Sequence, residues 1–261
     1  MTEHPLVSIV TPSFNQAAYL PEAMQSVFSQ THSPIEYIVI NGGSADGSLE
    51  IIKNHEDKLA YWVSEPDRGQ ADAINKGFSH AKGLYFAWLN ADDRLKPNAV
   101  AEAVAFLESH PDVGMVYGDT DFIGAAGRVV GRFAARQTDY KALLRGYVHI
   151  PQQAAFWRAD LWRRVAPLDV SLTFAMDYDL WVRLAKISRL HYEPRPWAEF
   201  RLHTDSKTMQ NDMRAWDDML KVHRREGGSA LSVIHAKYWL RRMFFPLIRA
   251  RRLRLAHTHQ G

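Results

Sequence analysis

The chain has 261 residues, 46% of them hydrophobic, which permits one large α/β domain or, as we favour, one domain with an appendage. It contains no cysteine, which excludes disulfides, thiolate metal sites and cysteine nucleophiles and is compatible with a reducing cytosol. The net charge is +3, but the tail after Glu226 contains seven Lys and Arg and no Asp or Glu. Residues 1–226 therefore carry a net charge of −4 and are not expected to bind nucleic acid.

The first half of the chain alternates short apolar runs with helical patterns, which predicts a mainly parallel sheet with helices on its faces. The predicted strands are Leu6–Thr11, Glu36–Ile40, Ala60–Ser64, Leu84–Leu89 and Val113–Tyr117. The predicted helices are Leu20–Gln30, Ser48–Asn54, Gln70–Ala81 and Pro97–Ser109.

After Gly118 the pattern changes to α+β. We predict a hairpin of Thr120–Ile123 and Arg128–Phe133, strands at Ala154–Trp157 and Trp197–His203, and helices at Leu180–Lys186, Asn211–Glu226 and Ala230–Phe245. These patterns divide the chain into residues 1–120, a smaller second half of the same domain at 121–208, and a helical basic extension at 209–261.

Three predicted strands end in polar loops. Pro12–Asn15 follows the first strand, Asn41–Ser48 the second and Asn90–Asp93 the fourth. Carboxyl ends of parallel strands share one edge of a sheet, where open α/β sheets bind ligands. We therefore expect a ligand crevice at this edge.

The residue types in these loops limit which ligands the crevice could bind. Asn41–Ser48 is rich in glycine but lacks both a P-loop ending and a G-x-G-x-x-G fingerprint, which disfavours a P-loop nucleoside triphosphatase or a dehydrogenase. The alternative interpretation of this loop is a tight turn in which Asp46 or Ser48 caps the next helix. The adjacent carboxylates Asp92 and Asp93 favour Mg²⁺ or Mn²⁺ bridging to phosphate oxygens, and capping before Pro97 is their alternative.

The segment Ser64–Gly77 joins a strand end to a helix. Arg68 is suited to a pyrophosphate and Asp72 to a ribose or a base. A solvated surface position is the alternative for either charge.

Four motifs in order, Ser8–Gln16, Asn41–Ser48, Ser64–Gly77 and Leu89–Asp93, resemble the nucleotide-binding half of family 2 glycosyltransferases with the GT-A fold. The resemblance covers at least residues 6–120. It implies an α/β GT-A fold, with a Rossmann-like mainly parallel sheet and helices on both faces. Residues 1–120 would bind the nucleotide sugar, 121–208 would carry the acceptor side and the base, and 209–261 would extend the domain.

The resemblance also implies roles for residues of the first half. Pro12, Asn15 and the Asn41 loop would embrace the nucleobase, and Asp67, Arg68 and Asp72 would flank the base and ribose. Asn90-Ala91-Asp92 stands at the family's D-x-D position, with Asp92 as the expected metal ligand and Asp93 as a further candidate. The family commonly has Asp where Asn41 and Asn90 stand here.

In the second half, Asp177 heads an apolar helical stripe that is similar to the family's acidic catalytic motif, although Met176 replaces the usual Glu. We predict Asp177 as the general base, with a helix N-cap as the alternative, and place Asp179 on the acceptor or sugar side. The resemblance implies that His203 contacts the metal or the diphosphate; a surface or capping histidine is the alternative. Gln152 and Gln153 would line the sugar or acceptor site, or would serve as structural hydrogen-bonding groups.

Together, these residues and the resemblance predict a glycosyltransferase that inverts the anomeric carbon with the help of Mn²⁺ or Mg²⁺. Its donor would be a UDP- or GDP-sugar and its acceptor a saccharide or a lipid-linked molecule, in polysaccharide or glycolipid biosynthesis. A nucleotidyltransferase and a non-catalytic nucleotide-sugar or polyanion-binding protein are the alternatives. No secretory signal or membrane-spanning run is evident, so a cytoplasmic location is predicted. The tail mixes arginines with Trp239, Leu240 and Phe244, which suits an anionic membrane surface; a packing helix with solvated arginines is the alternative.

Overall fold

The computed structural model of the chain describes residues 4–203 and 212–244. The predicted helix start at Asn211 and the tail from Phe245 onward lie outside the described residues. Within them the chain forms one nine-stranded sheet with apolar clusters on both faces, each covered by helices. This confirms the predicted α/β fold class.

The sheet is mixed. Its strands are β1 (Val7–Ser13), β2 (Ile35–Asn41), β3 (Tyr61–Ser64), β4 (Tyr85–Trp88), β5 (Arg94–Leu95), β6 (Val113–Ile123), β7 (Val129–Phe133), β8 (Ala155–Arg158) and β9 (Arg189–Arg201). They lie in the order β3-β2-β1-β4-β8-β6-β9-β5, and β7 pairs with β6. Strands β1 to β4 are parallel to one another, β8 is antiparallel to both its neighbours, and β9 runs parallel to β6.

Helices cover both faces of this sheet. They are α1 (Leu20–Phe28), α2 (Ser48–Lys53), α3 (Gln70–His80), α4 (Ala99–Ser109), α5 (Tyr140–Leu144), α6 (Ala159–Val165), α7 (Met176–Ile187), α8 (Asp212–Arg225) and α9 over residues 233–244. In residues 4–203 and 212–244 we find no helix with both the length and the apolarity needed to cross a bilayer.

The second half differs from its predicted elements. Strand β6 is continuous through Gly118, where we predicted a break, because β9 runs beside it: a Cβ at Gly118 would lie 2.6 Å from the Arg195 carbonyl oxygen. Gly118 therefore marks a close approach of two strands. Strand β9 starts eight residues before the predicted Trp197, and α7 starts at Met176 instead of Leu180. The short elements β5, α5 and α6 were not predicted.

Both faces of β1, β2 and β4 are buried, which explains why their sequences are apolar at successive positions. On β2, Ile38 and Ile40 belong to one apolar cluster, while Tyr37 and Val39 belong to the other. Side chains alternate across a strand, so each cluster receives every second residue.

Three tryptophans fix α7 against the sheet. Trp88 of β4, Trp157 of β8 and Trp181 of α7 are at most 1% exposed, and their ring centroids lie 5.7–5.9 Å apart. Such aromatic pairs add to the stabilisation from area burial. The cluster holds the N-terminal turn of α7 near the end of β4.

The register aligns the carboxyl ends of the parallel strands. Ser13 of β1 lies opposite Asn41 of β2, which in turn lies opposite Ser64 of β3. The polar loops that follow these strands therefore start at one edge of the sheet.

We predict that Gly77→Ala destabilises the protein by about 1–3 kcal/mol. In most helices this substitution stabilises by roughly 1 kcal/mol. Here a Cβ would lie 2.4 Å from Cγ1 of buried Val10, so α3 would have to move off β1. Urea unfolding measures the change.

Ser79→Ala, at an exposed position of the same helix, is the matched control and should leave stability unchanged or slightly raised. A gain in stability in Gly77→Ala would show that α3 and β1 are not packed this closely.

Candidate active site

The loops after β1 and β2 are joined to each other. Asn15, with a positive φ of 52°, donates its backbone N–H to Ser44 Oγ (2.8 Å) and accepts from the Ala45 N–H at its side-chain oxygen (3.1 Å). The Ala17 N–H donates to Asp46 Oδ2 (2.7 Å). Asn tolerates this left-handed backbone conformation better than most residues. The two loops therefore form one preformed edge.

Asn41 lies at the centre of that edge and is fully buried. Its side-chain oxygen accepts from the backbone N–H of Ser44 (3.1 Å) and from Ser44 Oγ (2.6 Å). Its Nδ2 has no hydrogen-bond partner in the described part of the chain. Buried polar groups are nearly always paired, so an orphaned amide donor beside Pro12 suits a ligand acceptor atom.

The start of α3 carries the predicted Asp67, Arg68 and Asp72. Asp67 accepts from the Gly69 N–H (2.7 Å), and its Oδ2 would lie 2.6 Å from a Cβ at Gly42, so a side chain at position 42 would displace the Asp67 carboxylate. Arg68 Nη2 donates to Asp72 Oδ1 (2.6 Å), which lowers the pKa of Asp72. The Arg68 side chain is 74% exposed and available to an anionic ligand.

Asn90 is the hub of an amide network. Its Oδ1 accepts from Gln70 Nε2 (2.7 Å), and its Nδ2 donates to Gln152 Oε1 (3.1 Å) and Asp93 Oδ2 (3.2 Å). Gln152 in turn donates to the Trp88 carbonyl oxygen (2.7 Å). Ala91, the next residue, is buried in the core. Sequence patterns alone did not indicate that Gln70 belongs to this site.

The structure separates the two adjacent carboxylates. Asp92 Oδ2 lies 3.0 Å from His203 Nε2, so these two predicted metal ligands are brought together. Asp93 is buried, accepts from the Arg201 backbone N–H (3.0 Å) and Asn90, and has a pKa raised well above its usual range by burial and by the charge of Asp92. Both carboxylate oxygens of Asp93 thus accept hydrogen bonds from protein groups. The Asp92–His203 pair, by contrast, lies at a partly exposed position.

The Asp92–His203 pair fits Mn²⁺ or Mg²⁺ chemically, because a carboxylate oxygen and an imidazole nitrogen converge at a partly exposed strand end. Among the described residues, no group of three or more His, Asp and Glu could hold a metal ion. A cation held by these two residues would complete its shell with ligand phosphates and water.

Two residues that the sequence analysis missed support this pair. The Arg201 guanidinium is fully buried and lies over the Tyr19 ring at 4.7 Å, and the same ring lies 5.0 Å from the His203 ring. Arg201 Nε also donates to the Asp92 carbonyl oxygen (3.0 Å). A lone arginine in a strand pattern is the only sequence signal, and it does not reveal these partners.

A cavity of about 410 Å³ adjoins the edge, within the size range of small-molecule sites. Its walls come from strands β4, β6, β7 and β9, from the loop after β4 and the segments before β8 and α7, and from helices α3, α7 and α8. Its lining residues are Gln70, Trp88, Asn90, Thr120, Phe122, Phe133, Val148, Ile150, Pro151, Gln152, Gln153, Thr173, Phe174, Met176, Asp177, Phe200 and Ala215. The cavity thus joins Asn90 and both predicted glutamines to Asp177; the other predicted residues of the first half do not line it.

Asp177 and Asp179 have different environments. Asp177 lines the cavity; its Oδ1 accepts from the Tyr178 N–H (2.8 Å), and burial raises its pKa. Asp179 is fully buried away from the cavity lining and forms ion pairs with Arg183 (2.8 Å) and with Arg225 of α8. Asp177 has the environment of a base, and Asp179 links α7 to α8.

Solved structures of GT-A enzymes share this architecture, so the chain has the GT-A fold. The mannosyltransferase PcManGT of Pyrobaculum calidifontis, solved with GDP-Man and Mn²⁺, matches with a TM-score of 0.68 at 19% identity over 99% of this chain and 76% of its own. A fragment of S. aureus TarS with UDP-GlcNAc matches with a TM-score of 0.67 at 16% identity over 91% of this chain and 72% of its own. The chain spans 43% of a longer TarS chain.

The chain belongs to glycosyl transferase family 2, whose model matches residues 8–159; the model of glycosyl transferase family group 2 matches residues 85–256. An uncharacterised glycosyltransferase of Mycobacterium tuberculosis is 32% identical over 90% of this chain and 91% of its own. Another, of Rickettsia prowazekii, is 30% identical over 82% and 70%. The protein is therefore a glycosyltransferase and not the nucleotidyltransferase or the non-catalytic binding protein considered as alternatives from the sequence.

We predict that Arg201→Met destabilises the protein by about 1–3 kcal/mol, the range for leaving buried polar groups without their hydrogen-bond partner. The substitution removes the donors to Glu22, the Asp92 carbonyl and the Ala125 carbonyl. Chemical denaturation measures the loss.

Arg195→Met on the same strand is the control: its side chain is 62% exposed and lies 3.4 Å from Glu102, so a change below about 0.5 kcal/mol is expected. Equal effects in the two variants would mean that the buried network contributes little.

Proposed function

We propose that the protein transfers a sugar from a UDP- or GDP-sugar to an acceptor hydroxyl, with inversion at the anomeric carbon, in polysaccharide or glycolipid biosynthesis. The observation that carries this proposal is the shared cavity of Asn90, at the end of β4, and Asp177, at the start of α7. A sugar extending from a nucleotide on the strand-end loops would lie between them. The nucleotide sugars present in the TarS and PcManGT structures support this donor class.

The donor would be held by groups on the loops after β1, β2 and β3. The orphaned Nδ2 of Asn41 would donate to a carbonyl of the base, next to Pro12 and Asn15. Asp67 and Asp72 would flank the base and ribose, and exposed Arg68 would approach the pyrophosphate. An amide at position 41 supplies a donor that a carboxylate lacks, so base preference depends on this residue.

Asp92 and His203 would hold the Mn²⁺ or Mg²⁺ ion, which, when bound, neutralises charge on the departing diphosphate. We do not assign this role to Asp93. The Tyr19 ring and the Arg201 contact to the Asp92 carbonyl would keep both ligands in place before a donor binds.

Asp177 would accept the proton of the acceptor hydroxyl as its oxygen attacks the anomeric carbon. One sugar–oxygen bond forms, the bond to the diphosphate breaks, and the nucleoside diphosphate leaves with the electron pair. Because burial raises the pKa of Asp177, its carboxylate is a stronger base than an exposed aspartate.

The remaining lining residues would receive the sugar and the acceptor. Gln152 and Gln153 are buried amides at the cavity floor near Asn90. Three aromatic rings form one wall: the Phe122 ring centroid lies 6.5 Å from that of Phe133 and 6.1 Å from that of Phe200. Aromatic faces pack on the apolar faces of a saccharide or on a lipid carrier.

Asp177→Asn is expected to lower kcat by about 10²–10⁴-fold, because amides do not accept the proton. Nucleotide sugars are first screened by thermal shift with Mn²⁺, since a ligand that binds only the folded state raises its apparent stability. Transfer is then followed through nucleoside diphosphate release.

Asp160→Asn, at an exposed position of α6, is the matched control and should keep the wild-type rate. A near wild-type rate in Asp177→Asn would refute the assignment of Asp177 as the base.

The same variant should be more stable than the wild type at neutral pH. The raised pKa of Asp177 means that its stabilising contribution is present below the usual aspartate pKa near 4 and is lost as pH rises through the higher folded-state value. Asn has no such loss, so the two melting temperatures should converge in acid. This comparison also shows that lost activity does not come from misfolding.

Mn²⁺ should strengthen UDP or GDP binding in the wild type and have a much smaller effect in Asp92→Ala and His203→Ala. Each variant removes one of two expected protein ligands, and calorimetry with and without Mn²⁺ measures the coupling. Asp57→Ala, at an exposed position, is the control. Full Mn²⁺ coupling in Asp92→Ala would exclude this pair as the metal site.

A further inference from the structure

Helix α9 is attached to the body by one face. Ile234, His235 and Tyr238 are buried, Tyr238 donates its hydroxyl to Asp217 of α8 (2.9 Å), and Lys237 Nζ donates to the Arg145 carbonyl oxygen (3.0 Å). These contacts fix which side of the helix faces outward.

The outward face is apolar. Val233 (47%), Trp239 (62%), Leu240 (55%), Met243 (63%) and Phe244 (47%) are exposed, and these positions cluster on the side of the helix opposite Ile234 and Tyr238. A surface helix normally carries polar residues on its outer face. Here both faces are apolar, and a contiguous exposed apolar patch marks an interaction surface.

Positive charge surrounds this face. Lys237, Arg241 and Arg242 belong to α9, and the sequence beyond the described residues adds Arg249, Arg251, Arg252 and Arg254. No Asp or Glu follows Glu226. The partner must therefore offer an apolar layer together with negative charge.

We propose that α9 docks the protein onto an anionic membrane surface, with Trp239, Leu240, Met243 and Phe244 buried at the lipid boundary and the basic residues on the lipid phosphates. Lys237, Arg241 and Arg242 interrupt the apolar residues of α9, so the helix suits the plane of the interface. A second copy of the chain is a poorer partner, because a two-fold contact through this face would bring Lys237, Arg241 and Arg242 of both copies together.

Docking would also bring the cavity near the lipid. The Lys237 ammonium lies 3.0 Å from the centroid of the Tyr147 ring, and the residue after Tyr147, Val148, lines the cavity. On the proposed function, this position suits an acceptor hydroxyl carried by a lipid. The docking itself does not depend on that function.

The test is sedimentation of the full chain with POPC vesicles and with POPC/POPG vesicles, at low and at high salt. The wild type should bind the anionic vesicles more tightly, and less so as salt rises. Leu240→Gln with Met243→Gln keeps the charge and the helix propensity and should lower the partition coefficient by about tenfold or more. Leu84→Gln with Val130→Gln removes two equally exposed apolar residues elsewhere and should bind like the wild type.

Three results would overturn the proposal. The first is that the wild type does not bind POPC/POPG vesicles, and the second is that the Leu240→Gln/Met243→Gln variant binds them as tightly as the wild type does. The third is that light scattering without lipid shows a wild-type dimer that becomes a monomer in this variant. The last result would assign the face to a second copy. Thermal melts of both double variants confirm that they are folded, and donor-dependent thermal shifts report the proposed function separately.

Discussion

A buried guanidinium organises one end of the active-site edge. Arg201 has no exposed side-chain surface, so its N–H donors must find partners within the protein. They reach Glu22 of α1 (2.7 Å), the Asp92 carbonyl (3.0 Å) and the Ala125 carbonyl in the β6–β7 turn (2.8 Å), and its backbone N–H supports Asp93. The position of the Asp92–His203 pair therefore depends on how β9 inserts this one side chain.

Contacts at the same end of the sheet explain why residue 90 is asparagine, where the family commonly has aspartate. Asn90 donates to Asp93 (3.2 Å) and to Gln152 (3.1 Å), and a carboxylate would replace both hydrogen bonds with repulsion. Asp93 already has a pKa raised by burial and by its neighbour Asp92. A third carboxylate would add to that cost, so the amide preserves a compact network and leaves the negative charge at Asp92.

The sequence predicted the features that local patterns encode. The parallel strands, their polar ends and the helix that carries Asp177 follow from apolar runs, turn residues and periodicity, and the fold class is confirmed. It did not reveal Arg201, Tyr19 or Gln70, because their roles depend on contacts between distant segments: Glu22 and Arg201 are 179 positions apart. The predicted start of α7 was also wrong: the helix begins at Met176, four residues before the predicted Leu180.

The cavity takes its two sides from different stretches of chain. Gln70, Trp88 and Asn90 come from the parallel half, whereas Val148, Phe174 and Ala215 come from connecting segments and α8. On the proposed function, the first side meets the donor sugar and the second meets the acceptor. Substitutions in those connections can therefore redirect the enzyme to new acceptors while the nucleotide loops stay intact, so donor and acceptor specificity can evolve, or be engineered, independently.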